Sequence, residues 1–185
     1  MVVSGAPGTG KSVVAAALAE GLRFPLLSLD TVKEALGDSL GLGDEAWSDQ
    51  LGDAAAEVIF TLAKAQPPAI LEGWWRRERR DRVIKEFPGA MEVFCRCDGQ
   101  LAEDRMRRRR AARRHPIHRD VINPTILDGF AEFSETVTPL DLGGLLIEVD
   151  TTEDVDVRAL VARVHEALSR RERGSDSLSR GPAHE

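Results

Sequence analysis

Apolar positions in this chain follow two patterns: short unbroken runs, and longer stretches in which an apolar side chain recurs every three or four residues. Short apolar runs next to Gly, Pro or Asp are typical of buried strands, and the wider spacing is typical of helices with one buried face. The runs predict strands at residues 2–3, 25–30, 69–73, 91–97 and 145–149. The helical spacing predicts helices at residues 11–22, 31–36, 53–65, 77–87, 101–114, 124–133 and 155–168.

Predicted strands and helices alternate along the chain, which is the order found in α/β proteins. Parallel strands need long crossover connections, so this alternation predicts a parallel sheet covered by helices on both faces. We therefore expect a three-layer α/β fold around a five-stranded parallel sheet. In this interpretation residues 1–170 form one domain, and the polar residues 171–185 form a disordered tail.

The most specific motif lies between the first strand and the first helix and reads Gly5-Ala6-Pro7-Gly8-Thr9-Gly10-Lys11-Ser12. It matches the P-loop pattern G-x-x-x-x-G-K-[ST] in the required context. The glycines let backbone N–H groups turn toward phosphate oxygens, and the helix presents its positive end to the same anion. Lys11 supplies charge for the β- and γ-phosphates, and the Ser12 hydroxyl can bind Mg²⁺. We expect this loop to bind ATP with Mg²⁺.

Asp30 follows the second predicted strand, at the edge of the sheet where α/β proteins bind their ligands. A carboxylate at this edge can accept the proton of an acceptor hydroxyl. Asp30 could instead cap the next helix, but Thr31 and Glu34 have the spacing of a capping box and make that role less needed. We predict that Asp30 is a catalytic base and that Lys11 is catalytic as well.

Glu72 ends the third predicted strand and precedes Gly73, Trp74 and Trp75. A carboxylate at this place can hold a water molecule bound to Mg²⁺, so we predict that Glu72 and Ser12 form the metal site. Glu72 could also contact the acceptor, or be a strand-end acid without a special role. Trp74 and Trp75 are candidates for lining an acceptor pocket, with plain packing as the alternative.

The chain has a formal net charge of −6, yet its arginines concentrate in residues 76–82 and 105–114. Local positive charge on an acidic protein suits a small phosphorylated ligand, whereas nucleic-acid binders are more often basic overall. Arg105, Arg109 and Arg113 recur at the spacing of one helix face. We predict that they belong to an Arg-rich lid and stabilise the transferring phosphoryl group as catalytic residues. The alternative is a solvated basic helix.

The remaining polar and sulfur-containing candidates favour structural roles. Cys95 and Cys97 share one face of a strand, which is too close for an ordinary disulfide, so we interpret them as core residues. His115 and His118 lack a third ligand at useful spacing and are predicted to lie in a mobile loop. No stretch is apolar enough to cross a membrane or to act as a signal peptide, and we expect a cytoplasmic protein without a membrane partner.

Residues 4–12, 26–30 and 70–73 together resemble the P-loop kinases of the nucleoside-monophosphate-kinase type. Within that group the chain is most similar to chloramphenicol phosphotransferase, zeta-toxin-like kinases and the kinase domain of polynucleotide kinase, with residues 96–105 and 148–152 similar to the first of these. The resemblance implies ATP with Mg²⁺, Asp30 as the base and lid arginines that reach the phosphates. Glu72 departs from it, because Asp is more usual there, and no acceptor-pocket signature is shared.

The sequence therefore predicts an ATP-dependent phosphotransferase that acts on a hydroxyl of a small molecule, with antibiotics and other secondary metabolites as candidate acceptors. An ATP-binding switch or AAA-type ATPase acting on a protein partner is one alternative, although such ATPases usually add a helical domain for which this chain has no room. A kinase of nucleic-acid 5′-hydroxyl ends is another. That activity favours a basic channel with stacking aromatic side chains, whereas aromatic residues make up only 5% of this chain.

Overall fold

A computed structural model of the chain contains one sheet of five parallel strands in the order β2-β3-β1-β4-β5. It describes residues 1–76, 78–112, 115–118 and 127–179, with side chains described through residue 170. The strands are β1 (Val2–Ser4), β2 (Leu26–Ser28), β3 (Ile70–Glu72), β4 (Glu92–Arg96) and β5 (Leu146–Asp150). The predicted α/β fold with a five-stranded parallel sheet is therefore confirmed.

Seven α-helices lie in the described part of the chain and cover the sheet. They are α1 (Lys11–Leu22), α2 (Leu29–Leu40), α3 (Glu45–Ala65), α4 (Glu78–Glu86), α5 (Gly99–Ala111), α6 (Phe130–Thr136) and α7 (Val157–Ser179). A 3₁₀ turn, Pro116–His118, lies between α5 and α6. None of the helices in these ranges is both long and apolar enough to cross a membrane.

Alternation along the strands divides the core into two halves, one on each face of the sheet. Val2 and Leu71 point to the face covered by α3, where they pack with Phe60. Their neighbours Val3 and Ile70 point to the opposite face, which is covered by α1 and α7. Successive side chains of a strand face opposite ways, so a buried strand with both faces covered is apolar at consecutive positions. The unbroken apolar runs of the sequence follow from this arrangement.

Helices α2 and α3 are longer than the sequence predicted. The predicted helix at 31–36 ends before Gly37, but in the structure Gly37 lies inside α2 and is buried. A Cβ at Gly37 would lie 3.2 Å from the Ile117 Cγ1 atom, so this glycine allows close packing rather than a turn. α3 begins at Glu45, well before the predicted start at residue 53, with Asp44 accepting a hydrogen bond of 2.9 Å from the backbone N–H of Trp47.

The predicted capping box of Thr31 and Glu34 is wrong. Ser28 is the N-cap of α2, and its hydroxyl accepts a hydrogen bond of 3.5 Å from the Thr31 N–H. Glu34 turns away from the helix start and contacts His118. Asp30 thus lies in the first turn of α2, where its negative charge faces the positive end of the helix dipole.

The C-terminal helices also differ in extent from the predictions. α6 begins at Phe130; of the predicted helix at 124–133, residues 124–126 lie outside the described residues, and residues 127–129 are described but are not α-helical. α7 continues to Ser179, whereas the sequence predicted an end near residue 168 and a disordered tail from 171. Residues 180–185 of that predicted tail lie outside the described residues.

Candidate active site

The loop of residues 5–12 wraps between the end of β1 and the start of α1. Gly10 has a φ of +73° and is the N-cap of α1, which has no acidic side chain in its first turn. Gly8 has a φ of +85°, and a Cβ there would lie 2.4 Å from the Ala102 carbonyl oxygen of α5. Only glycine fits both the backbone angle and this close approach. The loop therefore presents an uncapped, uncompensated helix N-terminus that can receive a phosphate.

Lys11 is buried beside this loop with only 6% of its surface exposed. Its Nζ lies 3.4 Å from the Ala6 carbonyl oxygen, as a donor to it. Burial lowers the pKa of the Lys11 ammonium, while the negative charges of Glu72 and then Asp30 raise it, and the positive charge of Arg109 lowers it again. Lys11, Glu72, Asp30 and Arg109 thus belong to one electrostatic cluster, in which a bound phosphate would favour the charged form of Lys11.

Glu72 ends β3, is 3% exposed and binds the P-loop directly. Ser12 Oγ donates to Glu72 Oε1 at 3.0 Å, and Ser28 Oγ donates to Glu72 Oε2 at 2.8 Å. The two serines fix the carboxylate plane. The sequence analysis missed Ser28, because a serine at the end of a strand carries no local signal of this contact.

Ser12 and Glu72 fit the donor chemistry of a magnesium site. Mg²⁺ prefers hard oxygen ligands and is usually held by one or two protein groups together with water and substrate phosphates. A hydroxyl and a carboxylate oxygen that already lie 3.0 Å apart match this requirement. The site could therefore hold Mg²⁺ when a nucleotide supplies the remaining ligands.

Asp30 has a more open position than Glu72, with 44% of its side chain exposed. It influences two lysines: its charge raises the pKa of Lys11 and of Lys33 against the lowering effect of burial. An accessible carboxylate in the same charge cluster as the P-loop lysine can accept a hydrogen bond from the hydroxyl of an acceptor bound next to the phosphates.

A cleft of about 800 Å³ opens beside the P-loop, between α5 and the segment after β5. Arg105 and Arg109 both line it, as their helical spacing predicts, together with Arg108, which the sequence analysis did not single out. Thr151 and Val155 close the other wall. The predicted lid residue Arg113 lies outside the described residues. The cleft has the position and size for the nucleoside part of a nucleotide bound through the P-loop.

Arg105 joins the P-loop to the wall of this cleft. One of its Nη atoms donates to the Gly8 carbonyl oxygen at 3.4 Å and to Thr151 Oγ1 at 3.3 Å, and the other donates to the Thr151 carbonyl oxygen at 2.9 Å. Thr151 Oγ1 in turn donates to the Thr9 carbonyl oxygen at 2.9 Å. These contacts support a role for Arg105 in holding the loop, while its predicted contact with the transferring group stays a prediction.

Replacing Arg105 with Ala is therefore expected to weaken nucleotide binding and to lower stability. The loss of hydrogen bonds made by a charged donor costs about 1.5–3 kcal/mol in the free energy of unfolding. Arg107→Ala is the matched control, because Arg107 lies on the same helix but pairs with Glu103 through a half-exposed side chain. Thermal unfolding and ATP titration of both variants measure the difference. Equal effects of the two substitutions would contradict the role assigned to Arg105.

The second arginine cluster, at residues 76–82, connects α4 and the residues just before it to other parts of the domain through ion pairs and hydrogen bonds. Arg76 binds Asp49 Oδ1 at 3.0 Å, and Arg79 binds Asp53 Oδ1 at 2.6 Å. Arg82 pairs with Glu57. Arg80 donates to the Thr138 and Pro139 carbonyl oxygens, and Arg77 lies outside the described residues. The described arginines of this cluster therefore bind side chains of α3 and backbone carbonyl oxygens of residues 138–139, which precede β5.

The two tryptophans have different environments. Trp75 is 3% exposed and stacks on Phe60 at a centroid distance of 5.8 Å, so of the two alternatives plain packing applies to Trp75, which belongs to the core. Trp74 is half-buried and meets the Phe133 ring edge-to-face at 5.9 Å. Cys95 is buried as predicted, and burial raises the pKa of its thiol to about 12.

The segment with His115 and His118 is docked on α2 and α3 at residues 115–118, while its predicted mobility stays a prediction. Ser48 Oγ donates to the Ile117 carbonyl oxygen at 2.7 Å, and Ile117 is buried against Gly37. His115 Nε2 lies 3.1 Å from Asp38 Oδ1. No group of three or more metal-ligating His, Cys, Asp or Glu side chains occurs among the described residues.

Comparisons with known proteins agree with this architecture. A protein-family model described as an AAA domain matches residues 1–126. A candidate kinase from Chloroflexus aurantiacus j-10-fl is 34% identical, with a TM-score of 0.78 over 90% of this chain and 96% of that chain. A shikimate kinase from Acinetobacter baumannii, in complex with shikimate, is 15% identical, with a TM-score of 0.60 over 92% of each chain. A gluconokinase from Sinorhizobium meliloti 1021 is 22% identical, with a TM-score of 0.57 over 92% of this chain and 95% of that chain. None of the curated proteins compared with the chain matches it.

The shikimate kinase and the gluconokinase share the fold with this chain at low sequence identity, whereas the Chloroflexus protein is similar in both sequence and fold. The predicted resemblance to P-loop kinases is confirmed by the family match and by these structures, and so is the prediction of a kinase.

Proposed function

We propose that this chain, which belongs to the AAA domain family and has the fold of the P-loop kinases, transfers the γ-phosphoryl group of ATP to a hydroxyl of a small molecule. The observation that carries the proposal is the contact of Ser12 in the P-loop with the buried Glu72, with Asp30 in the same charge cluster. A triphosphate site and an accessible carboxylate beside it are the two parts that transfer to a hydroxyl requires.

Each residue of the site has a defined task in this proposal. Backbone N–H groups of residues 5–12 and the Lys11 ammonium bind the phosphates. Ser12 and Glu72 would hold Mg²⁺, which supplies charge neutralisation between the β- and γ-phosphates when it is bound. Asp30 accepts the proton of the acceptor hydroxyl. The hydroxyl oxygen forms the new bond to the γ-phosphorus, and the bond between the γ-phosphorus and the β–γ bridging oxygen breaks. Arg109 lies close enough to Lys11 to lower its pKa and can stabilise the charge of the transferring group.

A small-molecule acceptor is favoured over the two alternatives. The net charge of −6 and the few aromatic residues do not suit a nucleic-acid channel. A switch or ATPase acting on a protein partner does not require a carboxylate in the place of Asp30, whereas a kinase uses one. Antibiotics and other secondary metabolites are the candidate acceptors that the resemblance to chloramphenicol phosphotransferase suggests.

The proposal is tested by a screen for acceptor-dependent ATP consumption. The purified full chain is incubated with ATP·Mg²⁺ and a panel of antibiotics, sugars, hydroxy acids, nucleosides and 5′-hydroxyl oligonucleotides, and phosphorylated products are identified by mass spectrometry. We expect a phosphorylated small molecule and no product with the Lys11→Ala variant. A product confined to oligonucleotides, or ATP turnover that depends only on a protein partner, would overturn the proposal.

A further inference from the structure

His118 lies between two carboxylates that project from one face of α2. Its Nε2 is 2.7 Å from Glu34 Oε1, and its Nδ1 is 4.0 Å from Asp30 Oδ1. Asp30 and Glu34 are one helical turn apart, so both can face the same ring. The His118 side chain is only 7% exposed. The sequence did not predict this imidazole, which is buried between the proposed base Asp30 and a second carboxylate, Glu34.

The protein holds this ring in place through contacts of the residues that precede it in the chain. The preceding residue, Ile117, is buried and accepts a hydrogen bond from Ser48 of α3. His115, two residues before Ile117, accepts a hydrogen bond of 3.2 Å at its Nδ1 from the Ile117 backbone N–H. Its Nε2 lies 3.1 Å from Oδ1 of Asp38, which is one helical turn after Glu34 on α2. His118 therefore keeps its position without help from a substrate, and little conformational entropy remains to be lost when the site is used.

The chemistry of the partners assigns the protons of the ring. Ionised Glu34 can only accept a hydrogen bond, so Nε2 of His118 carries a proton and donates it to Glu34. Nδ1 then faces Asp30, and a second proton on Nδ1 gives an imidazolium that attracts the Asp30 carboxylate across 4.0 Å. Among the described residues, the charged and titratable groups recorded next to the ring include Asp30 and Glu34 from α2 and, at a ring distance of 6.4 Å, His115 from its own segment.

We propose that His118 is a positioning residue for Asp30: anchored on Glu34, its imidazolium orients the Asp30 carboxylate toward the acceptor hydroxyl. The role rests on the proposed function, since it acts through the base of that reaction. His118 does not touch the transferring group in this arrangement. The segment 115–118 thereby connects the Arg-rich helix α5 to the acceptor side of the site.

The contact itself is tested without an acceptor, by NMR titration of the imidazole rings in the full-length chain. Asp30→Asn removes a negative charge next to His118, and we expect the pKa of His118 to fall by about 1 pH unit, as is typical for the loss of an opposite charge at this distance. The matched control is Asp38→Asn, which removes a carboxylate from the same helix and should leave the pKa of His118 in place. A pKa of His118 that is the same in the wild type and in Asp30→Asn would overturn the proposal.

Kinetics with the acceptor found by the screen test the positioning role. His118→Gln should lower kcat about 10-fold, as expected for a base that is present but misoriented, with the KM for ATP unchanged. His115→Gln is the matched control, because it loosens the same segment but faces Asp38 instead of Asp30. Equal losses in both variants would mean that only docking of the segment matters and would overturn the proposal. A failed screen would leave the NMR result standing, so failure of this inference and failure of the proposed function can be told apart.

Discussion

Asp30→Asn is expected to abolish phosphoryl transfer while ATP binding persists. The substitution keeps the size of the side chain but removes its ability to accept a proton, and general base catalysis is worth about 10²–10⁴-fold in rate. ATP binding depends on the P-loop and on Lys11, whose Nζ donates to the Ala6 carbonyl oxygen within the loop. Transfer is measured as product formation with the identified acceptor, and binding by calorimetric titration with ATP·Mg²⁺.

Asp38→Asn provides the control for this prediction. Asp38 lies on the same helix, two turns further on, and pairs with His115 rather than pointing to the P-loop. It tests whether removal of any carboxylate from α2 impairs the enzyme. We expect Asp38→Asn to keep most of the transfer activity, because the amide that replaces the carboxylate can still form a hydrogen bond with His115. Near-wild-type transfer by Asp30→Asn would show that Asp30 is not the base.

The parts that sequence reasoning predicted well are those in which the signal is local. The P-loop is one continuous stretch, and its conformation is fixed by glycines within it, such as Gly8 and Gly10. The strands were identified because both faces of the sheet are covered, which makes Val2–Val3 and Ile70–Leu71 apolar at consecutive positions. The helical spacing of Arg105 and Arg109 likewise placed both on the wall of one cleft.

The parts that it missed depend on contacts between distant residues. Ser28 meets Glu72, Arg105 meets Thr151 and His118 meets Glu34 across 44, 46 and 84 positions of sequence. A window of the sequence cannot contain both partners of such a contact. The same long-range packing overrode two local signals. Glycine is typical of loops, but Gly37 lies in a helix, where the absence of a side chain allows Ile117 to pack closely. Glu34 has the spacing of a capping box, but it pairs with His118.

The role of Glu72 gives the second large expected effect. Glu72→Gln keeps the volume of the buried side chain but replaces one carboxylate oxygen by an amide nitrogen, which cannot bind Mg²⁺ or accept a hydrogen bond from a serine. We expect the apparent affinity for Mg²⁺ in the transfer reaction to fall about 10–100-fold, the range typical for altered metal ligands and their supporting contacts. ATP binding measured without a divalent cation should change little. The measurement is the dependence of the initial rate on Mg²⁺ concentration at saturating ATP.

A second buried carboxylate in the same sheet separates this effect from a general loss of stability. Glu92 is the first residue of β4, which lies between β1 and β5. It is buried and accepts from Ser4 Oγ and, at 2.9 Å and 3.0 Å, from the Leu140 N–H. Glu92→Gln should lower the free energy of unfolding by about 1–3 kcal/mol, because it disturbs a buried hydrogen-bond set, without changing the dependence on Mg²⁺. If Glu72→Gln behaves in the same way, Glu72 supports the fold rather than the metal. If it raises the KM of the acceptor while the dependence on Mg²⁺ stays as in the wild type, Glu72 contacts the acceptor, and the metal must be held by Ser12 with the phosphates and water.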